Sequence, residues 1–413
     1  MKSENKNKTN NKPERNPGLK GKRTARKVVR IIARVLGVIL LMVVCFFAGL
    51  FIYCRGVGID YGKVITALTT GQLDQFEALM NPEAYLAADL VEGFVQNEYA
   101  DDSDRFFSVG DTLFKVSNNS VVKYTSTGVI AQETRLDMDN CRVDKVGKYM
   151  LVYNIGGQTA HLFTEDSSFS ISLPDPVLVA TVGYGGYMAF VLETDNYASA
   201  VSVYDDKGQL ISTRYIQDDY VVWAGVSPDN TYYCINRVSL DDLECSSYLE
   251  YNKIGETVAY AGENYAGVLI AKCAFASNGT MVCIAEDRVI HVGAGRKPIA
   301  EYPVREIYAM TQSPDGDVVL SARVEENTAS QNRIYIFDNK GSCSTFDTDQ
   351  AAQKLNVQGR NICAVMGTGV IIYDYRGEIQ ASCASGTDRI NDAILYRDSY
   401  LVVYRNTVDK RRF

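Results

Sequence analysis

Residues 307–341, IYAMTQSPDGDVVLSARVEENTASQNRIYIFDNKG, carry two kinds of turn between apolar runs. In the first, Ser313-Pro314-Asp315-Gly316 joins one run to the next: the proline ring presets one turn angle and the glycine accepts the other. In the second, Phe337 to Gly341 (FDNKG) closes a hairpin whose loop makes a type I turn and then needs a left-handed residue. Glycine supplies that conformation without a steric penalty. The stretch reads as successive antiparallel strands with no helix between them.

Both turns recur outward from this point. The aromatic-to-glycine form appears as Tyr124 to Gly128 (YTSTG), Tyr204 to Gly208 (YDDKG), Tyr251 to Gly255 (YNKIG) and Tyr373 to Gly377 (YDYRG). The intervals correspond to one unit of about forty residues or to two. The other form recurs as Ser227-Pro228-Asp229-Asn230 and Ser277-Asn278-Gly279. Aligned two-strand units start near Phe106, Arg142, Leu178, Val221, Leu269, Ile307, Leu355 and Asn391, and seven of the eight are followed by a second hairpin. Four strands in about forty residues predict an all-β fold, a β-propeller over residues 105–413. Each blade must pack on its neighbours, and the ring must close. Eight blades are expected, with seven as the alternative count and a β-sandwich array as the alternative architecture. The last unit has little chain left for its outer strands. Either residues near Phe94 to Tyr99 complete it, or it is short, or the register is wrong.

Over residues 105–413 the chain resembles the superfamily of WD-repeat-like and quinoprotein-like propellers. Its Ser-Pro-Asp-Gly turn is similar to that of bacterial extracytoplasmic propellers. The Trp-Asp pair of WD repeats is absent, and the single Trp223 does not supply the one-per-blade tryptophans of quinone-binding enzymes. The whole layout resembles an uncharacterised family of membrane-anchored propellers from Gram-positive anaerobes, which implies an architecture and no activity.

The membrane reading comes from the N-terminus. The chain has 413 residues, 46% of them hydrophobic, and a net charge of −8 that hides an asymmetry. Residues 1–34 hold twelve Lys or Arg against Glu4 and Glu14, whereas the remainder carries 30 basic against 48 acidic residues. The basic tail abuts Val35 to Cys54 (VLGVILLMVVCFFAGLFIYC), twenty residues without a charge, long enough to cross roughly 30 Å of hydrocarbon as a helix. Thirteen of them are Leu, Ile, Val or Phe, a gain of about 4 to 8 kcal/mol on insertion. Seven basic residues from Lys20 to Arg34 precede the span and only Arg55 and Lys63 follow closely. The tail is therefore expected in the cytoplasm and the C-terminal domain outside it. A cleaved signal peptide fits less well, because no small-x-small site closes the apolar run, and Tyr53 stands where a lipoprotein signal carries a small residue. The Asn- and Lys-rich tail, residues 1–34, reads as a disordered topogenic segment rather than a nucleic-acid-binding one.

Residues 55–104 are expected to form a helical stalk. Asp60 precedes Tyr61 to Leu68, a second run covers Gln72 to Met80, and Asn81-Pro82-Glu83 makes a helix start. Apolar Leu86, Leu90, Val91, Phe94 and Val95 follow at helical spacing. Asp101, Asp102 and Asp104 mark the boundary with the propeller.

No constellation of catalytic chemistry stands out. His161 and His291 lie in apparent strands without a metal-binding or nucleophile-elbow motif. Gly183, Gly185 and Gly186 sit between strands, which fits a hairpin and not a nucleotide loop. The pairs Asp205-Asp206, Asp218-Asp219 and Asp241-Asp242 lack the alternating ligands of a calcium loop and read as solvated turns. Cys45 and Cys54 belong to the span. Cys141, Cys234, Cys245, Cys273, Cys283, Cys343, Cys363 and Cys383 include no Cys-x-x-Cys and are read as mostly unpaired thiols, with Cys273 and Cys283 as the one pair able to face across a hairpin. We assign no catalytic, cofactor or metal residue and expect no cofactor. The expectation is a membrane-anchored, non-enzymatic scaffold that binds a protein or a cell-wall polymer. A propeller enzyme of lactonase or lyase type, with its site in the central channel, is the alternative, and transmembrane signalling ranks last.

Overall fold

The computed structural model describes residues 37–38, 40–51, 61–62, 65, 69, 90–96, 104–240, 245–256, 258–326, 329–384, 386 and 389–412. They fall into two compact units, residues 1–85 and 86–413. In the first unit, residues 37–38 and 40–51 are helical, as are 61, 62, 65 and 69. Among the described residues no helix is long and apolar enough to cross a membrane. The rest of the expected span and stalk, including Cys54 and the Asn81-Pro82-Glu83 helix start, lies outside the described residues.

The second unit is an eight-bladed β-propeller. Among the described residues its strands form eight four-stranded antiparallel sheets. Blades 1 to 7 span residues 105–135, 141–172, 177–216, 220–265, 270–303, 306–348 and 354–384, each in sequential strand order. These starts fall within one residue of the expected ones, so the seven-bladed alternative drops out. Blade 8 is composite. Its inner three strands, Asp392–Tyr396, Ser399–Val403 and Thr407–Arg412, come from the C-terminus, and the outermost, Val91–Gln96, comes from the start of the unit.

That outer strand corrects the helical reading of Val91, Phe94 and Val95 and moves the propeller boundary upstream of residue 105. Val95 pairs with Val408 and Gln96 with Thr407, and the register shifts between Val91 and Val95. Gly93 takes a φ of +61° inside this irregularity, and its N–H donates to the Asp409 carboxylate at 2.9 Å. Because the strand bulges, the consecutive Phe94 and Val95 are both buried, against Phe106, Tyr124, Tyr396 and Leu401. A bulge breaks the period of two, and the resulting apolar spacing imitates a helix.

The repeated turns do what their residues require. In blade 3 the Asp205 N–H donates to the Gln209 carbonyl at 3.0 Å and the Gly208 N–H to the Asp205 carbonyl at 3.1 Å. Gly208 has a φ of +78°, and a Cβ there would sit 2.8 Å from the Phe169 ring. Each interface between blades, including that between blades 8 and 1, has its own buried apolar cluster. The ring is thus closed by the same kind of packing throughout.

The first strand of each blade lies at the hub, with one edge unpaired within its sheet. Neighbouring blades satisfy part of that edge with side chains, as buried backbone polar groups demand. The Lys145 ammonium donates to the Ser108 carbonyl at 2.7 Å, and the Asp144 carboxylate accepts from the Val182 N–H at 2.9 Å. Thr181 donates to the Ala224 carbonyl at 2.6 Å and Gln312 to the Phe275 carbonyl at 2.8 Å. Asn356 accepts from the Leu395 N–H at 2.9 Å.

Candidate interaction site

Blade 3 brings two exposed segments to one end of the sheet. Its third strand, Ser199–Tyr204, pairs with its fourth, Leu210–Ile216, with Ser199 opposite Ile216 and Ala200 opposite Tyr215. The loop 193–198 therefore emerges beside the connection 217–219 into blade 4. Tyr197 on the loop and Tyr215 on the fourth strand lie against each other, tilted by 33°, with ring centroids 4.7 Å apart. They are 40% and 53% exposed, and Tyr220, which opens blade 4, is 58% exposed. Among the described residues these are the only exposed tyrosines, and no Phe or Trp of the propeller is exposed with them. Large aromatic side chains normally find a buried place, so three on one rim mark a contact surface.

Carboxylates share the rim. Glu193, Asp195 and Asp218 are exposed, and no Lys or Arg among the described residues forms an ion pair with them. Beneath the rim lies a charge network. Glu250, 2% exposed in its side chain, meets the Arg214 Nε at 3.0 Å and the Arg237 Nε at 3.2 Å, and Arg237 reaches Asp219 at 3.2 Å. The Arg237 guanidinium also lies 4.8 Å from the centre of the Tyr248 ring. The network joins the outer strand of blade 3 to the second and third strands of blade 4 and holds the connection that presents Tyr220. Glu250 is the one buried member, and removing its charge loses two charged hydrogen bonds, at a cost of about 1–3 kcal/mol.

Concave regions also occur elsewhere among the described residues. A cleft of about 290 Å³ separates blades 1 and 2, floored by Phe114 and Phe163 and walled by Lys123, Gln132 and Glu165. The Lys123 ammonium is already engaged by the Glu165 carbonyl, and Thr112 donates to the Glu165 carboxylate at 3.2 Å. At the hub, Tyr184 of blade 3 donates to the Ser313 carbonyl of blade 6 at 3.4 Å, bridging one end of the channel. On the channel wall burial raises the Asp144 pKa, opposed by Lys272 and by the Val182 N–H. Burial pushes Lys145 down to about 8.

The residues singled out in the sequence scatter. His161 lies in Thr159–Phe163 of blade 2, stacked on Phe163, and His291 in Arg288–Val292 of blade 5, edge-on to Phe337 at 5.0 Å. Burial lowers the pKa of both, with Asp338 opposing the shift at His291. Asp205 caps its own turn, accepting from the Lys207 and Gln209 N–H groups. Asp219 belongs to the charge network, and Asp241-Asp242 lies outside the described residues. Cys273 and Cys283 do face each other across the blade 5 hairpin, and every described cysteine is a free thiol. Among the described residues no three His, Cys, Asp or Glu side chains gather as a metal site would require. Sequence reasoning missed Tyr197, Tyr215 and Tyr220. A signal was present, since the segments ETDNY and YIQDDY place tyrosines among acidic loop residues where a core aromatic has no place.

Residues 89–413 match DUF5711, a family of unknown function. No curated protein matches. Similar solved structures include a hydrazine synthase chain of Kuenenia stuttgartiensis, 13% identical, covering 74% of this chain and 93% of that one with a TM-score of 0.42. The Swd1 (Cps50) β-propeller domain of Myceliophteria thermophila is 11% identical over 77% of this chain and 98% of that one, with a TM-score of 0.45. Apo AztD of Citrobacter koseri is 10% identical over 68% and 85% of the two chains, with a TM-score of 0.46.

Proposed function

We propose, for a chain that belongs to the DUF5711 family, that it is a binding scaffold: a propeller held outside the cytoplasmic membrane by an N-terminal helix, where it engages another envelope protein or a cell-surface polymer. The observation that carries this reading is the rim of blades 3 and 4, where Tyr197, Tyr215 and Tyr220 stand exposed beside Glu193, Asp195 and Asp218. Tyrosines supply large contact area at a small entropic cost and dominate the energetics of protein interfaces. The charge network under the rim keeps it in place before a partner arrives, which lowers the ordering cost of association. The anchor and its orientation rest on the uncharged run from Val35 to Cys54 and on the basic residues before it.

Photo-crosslinking from positions 197, 215 and 220 in whole cells tests this reading. A discrete adduct is expected, and the triple substitution of the three tyrosines by Ser is expected to reduce partner recovery about tenfold or more at an unchanged melting temperature. Repeated recovery of the protein alone from all three positions would overturn it.

A second reading, an enzyme of lactonase or lyase type, draws on one observation. Asp144 and Lys145 follow one another on the first strand of blade 2, Asp144 reaching Val182 of blade 3 and Lys145 reaching Ser108 of blade 1, and burial displaces their pKa values, the Asp up and the Lys down to about 8. Perturbed neighbours in a channel are a mark of active sites. One tightly held divalent ion per purified chain, together with turnover lost on Asp144→Asn, would favour it over the scaffold.

A further inference from the structure

The third-to-fourth-strand turn of blade 5 departs from its counterparts at its left-handed position, and it has Gly293 where they have a capping Asp. Its hydrogen bonds repeat the blade 3 pattern: the Gly293 N–H donates to the Lys297 carbonyl at 2.8 Å, and the Arg296 N–H to the Gly293 carbonyl at 2.8 Å. The equivalent left-handed position is Gly208 in blade 3, Gly341 in blade 6 and Gly377 in blade 7, whereas here it is Arg296, with a φ of +64°. A non-glycine residue in this conformation is strained, and such strain persists where the side chain has work to do.

The Arg296 side chain lies among three tyrosines of blade 4. Its guanidinium carbon is 4.6 Å from the ring centre of Tyr232, 4.7 Å from that of Tyr260 and 6.0 Å from that of Tyr251. The rings meet edge to face, Tyr232 with Tyr251 at 6.1 Å and with Tyr260 at 6.5 Å. They come from the second, third and fourth strands of one sheet. Among the described residues no carboxylate forms an ion pair with Arg296, and its buried Nε has no hydrogen-bond partner. The Tyr260 hydroxyl provides a polar contact.

We propose that Tyr232, Tyr251 and Tyr260 form a cation-binding cage which Arg296 fills in cis, and that its ligand is a quaternary ammonium group. The guanidinium reports the chemistry of the cage, which offers ring faces to a cation, with the Lys253 ammonium 5.6 Å from the Tyr260 ring and Asp229 near enough to act on Tyr232 and Tyr260 without ion-pairing Arg296. A fully alkylated nitrogen has no N–H to leave unpaired there, unlike the Nε of Arg296 or the ammonium of a lysine. The closed state carries two opposing costs, the left-handed backbone of Arg296 and its orphaned Nε, so the plug is one that a ligand can displace. This site lies on blades 4 and 5, apart from the tyrosine rim, and stands without the scaffold reading.

Titration calorimetry of the full chain in detergent, with choline chloride as the probe and sodium chloride as the control, tests the proposal. Arg296→Gly suits the turn and empties the cage, and it is expected to bind choline about tenfold tighter than the unsubstituted protein or better. Adding Tyr260→Ala to that variant is expected to abolish the gain. Arg296→Gln, which removes the charge while keeping most of the side chain, provides a second route if the glycine variant folds poorly, and it is expected to bind more tightly than the parent and to melt higher in choline than in sodium chloride. Equal choline affinity in the parent and in both Arg296 variants, with their melting transitions intact, would overturn it.

Discussion

Lys145 and Glu250 are buried charges of opposite sign with opposite support, and each gives a measurable consequence. Lys145 has one backbone carbonyl as its partner, Ser108, and burial pushes its pKa down to about 8 from an ordinary value of 10.5. The folded state therefore carries the cost of charging this lysine below pH 8. As the pH rises from 8 toward 10.5, the folded protein releases the proton while the unfolded chain still holds it. The contribution of this lysine to stability rises in that window, while the thiols of Cys141, Cys234, Cys273, Cys343, Cys363 and Cys383, which burial pushes up, ionise first in the unfolded chain and oppose it. Urea unfolding between pH 7 and 10 is expected to show the stability of the protein relative to Lys145→Met rising across this window. Glu250 instead has two arginines, so Glu250→Gln keeps the shape but removes the buried charge they share, while Arg237 keeps Asp219. A loss of about 1–3 kcal/mol is expected, because both arginines are partly exposed and reach solvent. Neither residue was legible as special in the sequence, because an isolated acid or lysine in a strand looks alike whether its partner comes from solvent or from a strand dozens of positions away. The tyrosine rim was missed for a related reason: Tyr is common in this chain, and only the sheet ends show which ones have nowhere to go.

The strand Val91–Gln96 makes the clearest case for what an element owes to distant sequence. Its outer-edge place in blade 8 depends on Thr407–Arg412, more than three hundred residues later, and no local window contains that partner. The turn motifs needed no such information, and the blade starts followed from them to within a residue. Local turn chemistry was thus readable, while the pairing that closes the ring was not, beyond the open alternative that residues near Phe94 complete the last blade. Phe94→Ala is expected to cost about 3–5 kcal/mol, the usual range for emptying a buried aromatic site. A fragment beginning at residue 105 also loses the cover over the edge of Thr407–Arg412, and exposed edges pair with other chains. Compared with a fragment beginning at residue 89, it is expected to melt lower and to elute as aggregate in size-exclusion chromatography. Equal melting and a monomeric elution for both would show that the strand is dispensable.

For the whole molecule, charge distribution and ring closure constrain function together. Every blade interface has a buried cluster of its own, so the ring has no weak seam, and loops at its ends are presented by a rigid body. A rigid body is useful as a scaffold only if it is on the side of the membrane where its partner lies, and here the sequence makes a definite forecast. On the proposed anchoring, the twelve basic residues in the first 34 are expected to resist translocation, whereas the remaining chain is acidic, because the bias in Lys and Arg beside an apolar span sets its orientation. In cells carrying tags at both termini, protease added outside is expected to remove the C-terminal tag and to spare the N-terminal one until the membrane is broken. Substituting the seven basic residues from Lys20 to Arg34 by Gln removes the asymmetry and is expected to yield a mixed population. If the C-terminal tag survives in intact cells while known exterior proteins are digested, the propeller faces the cytoplasm, and the partner captured at Tyr197 and Tyr215 must then be sought there.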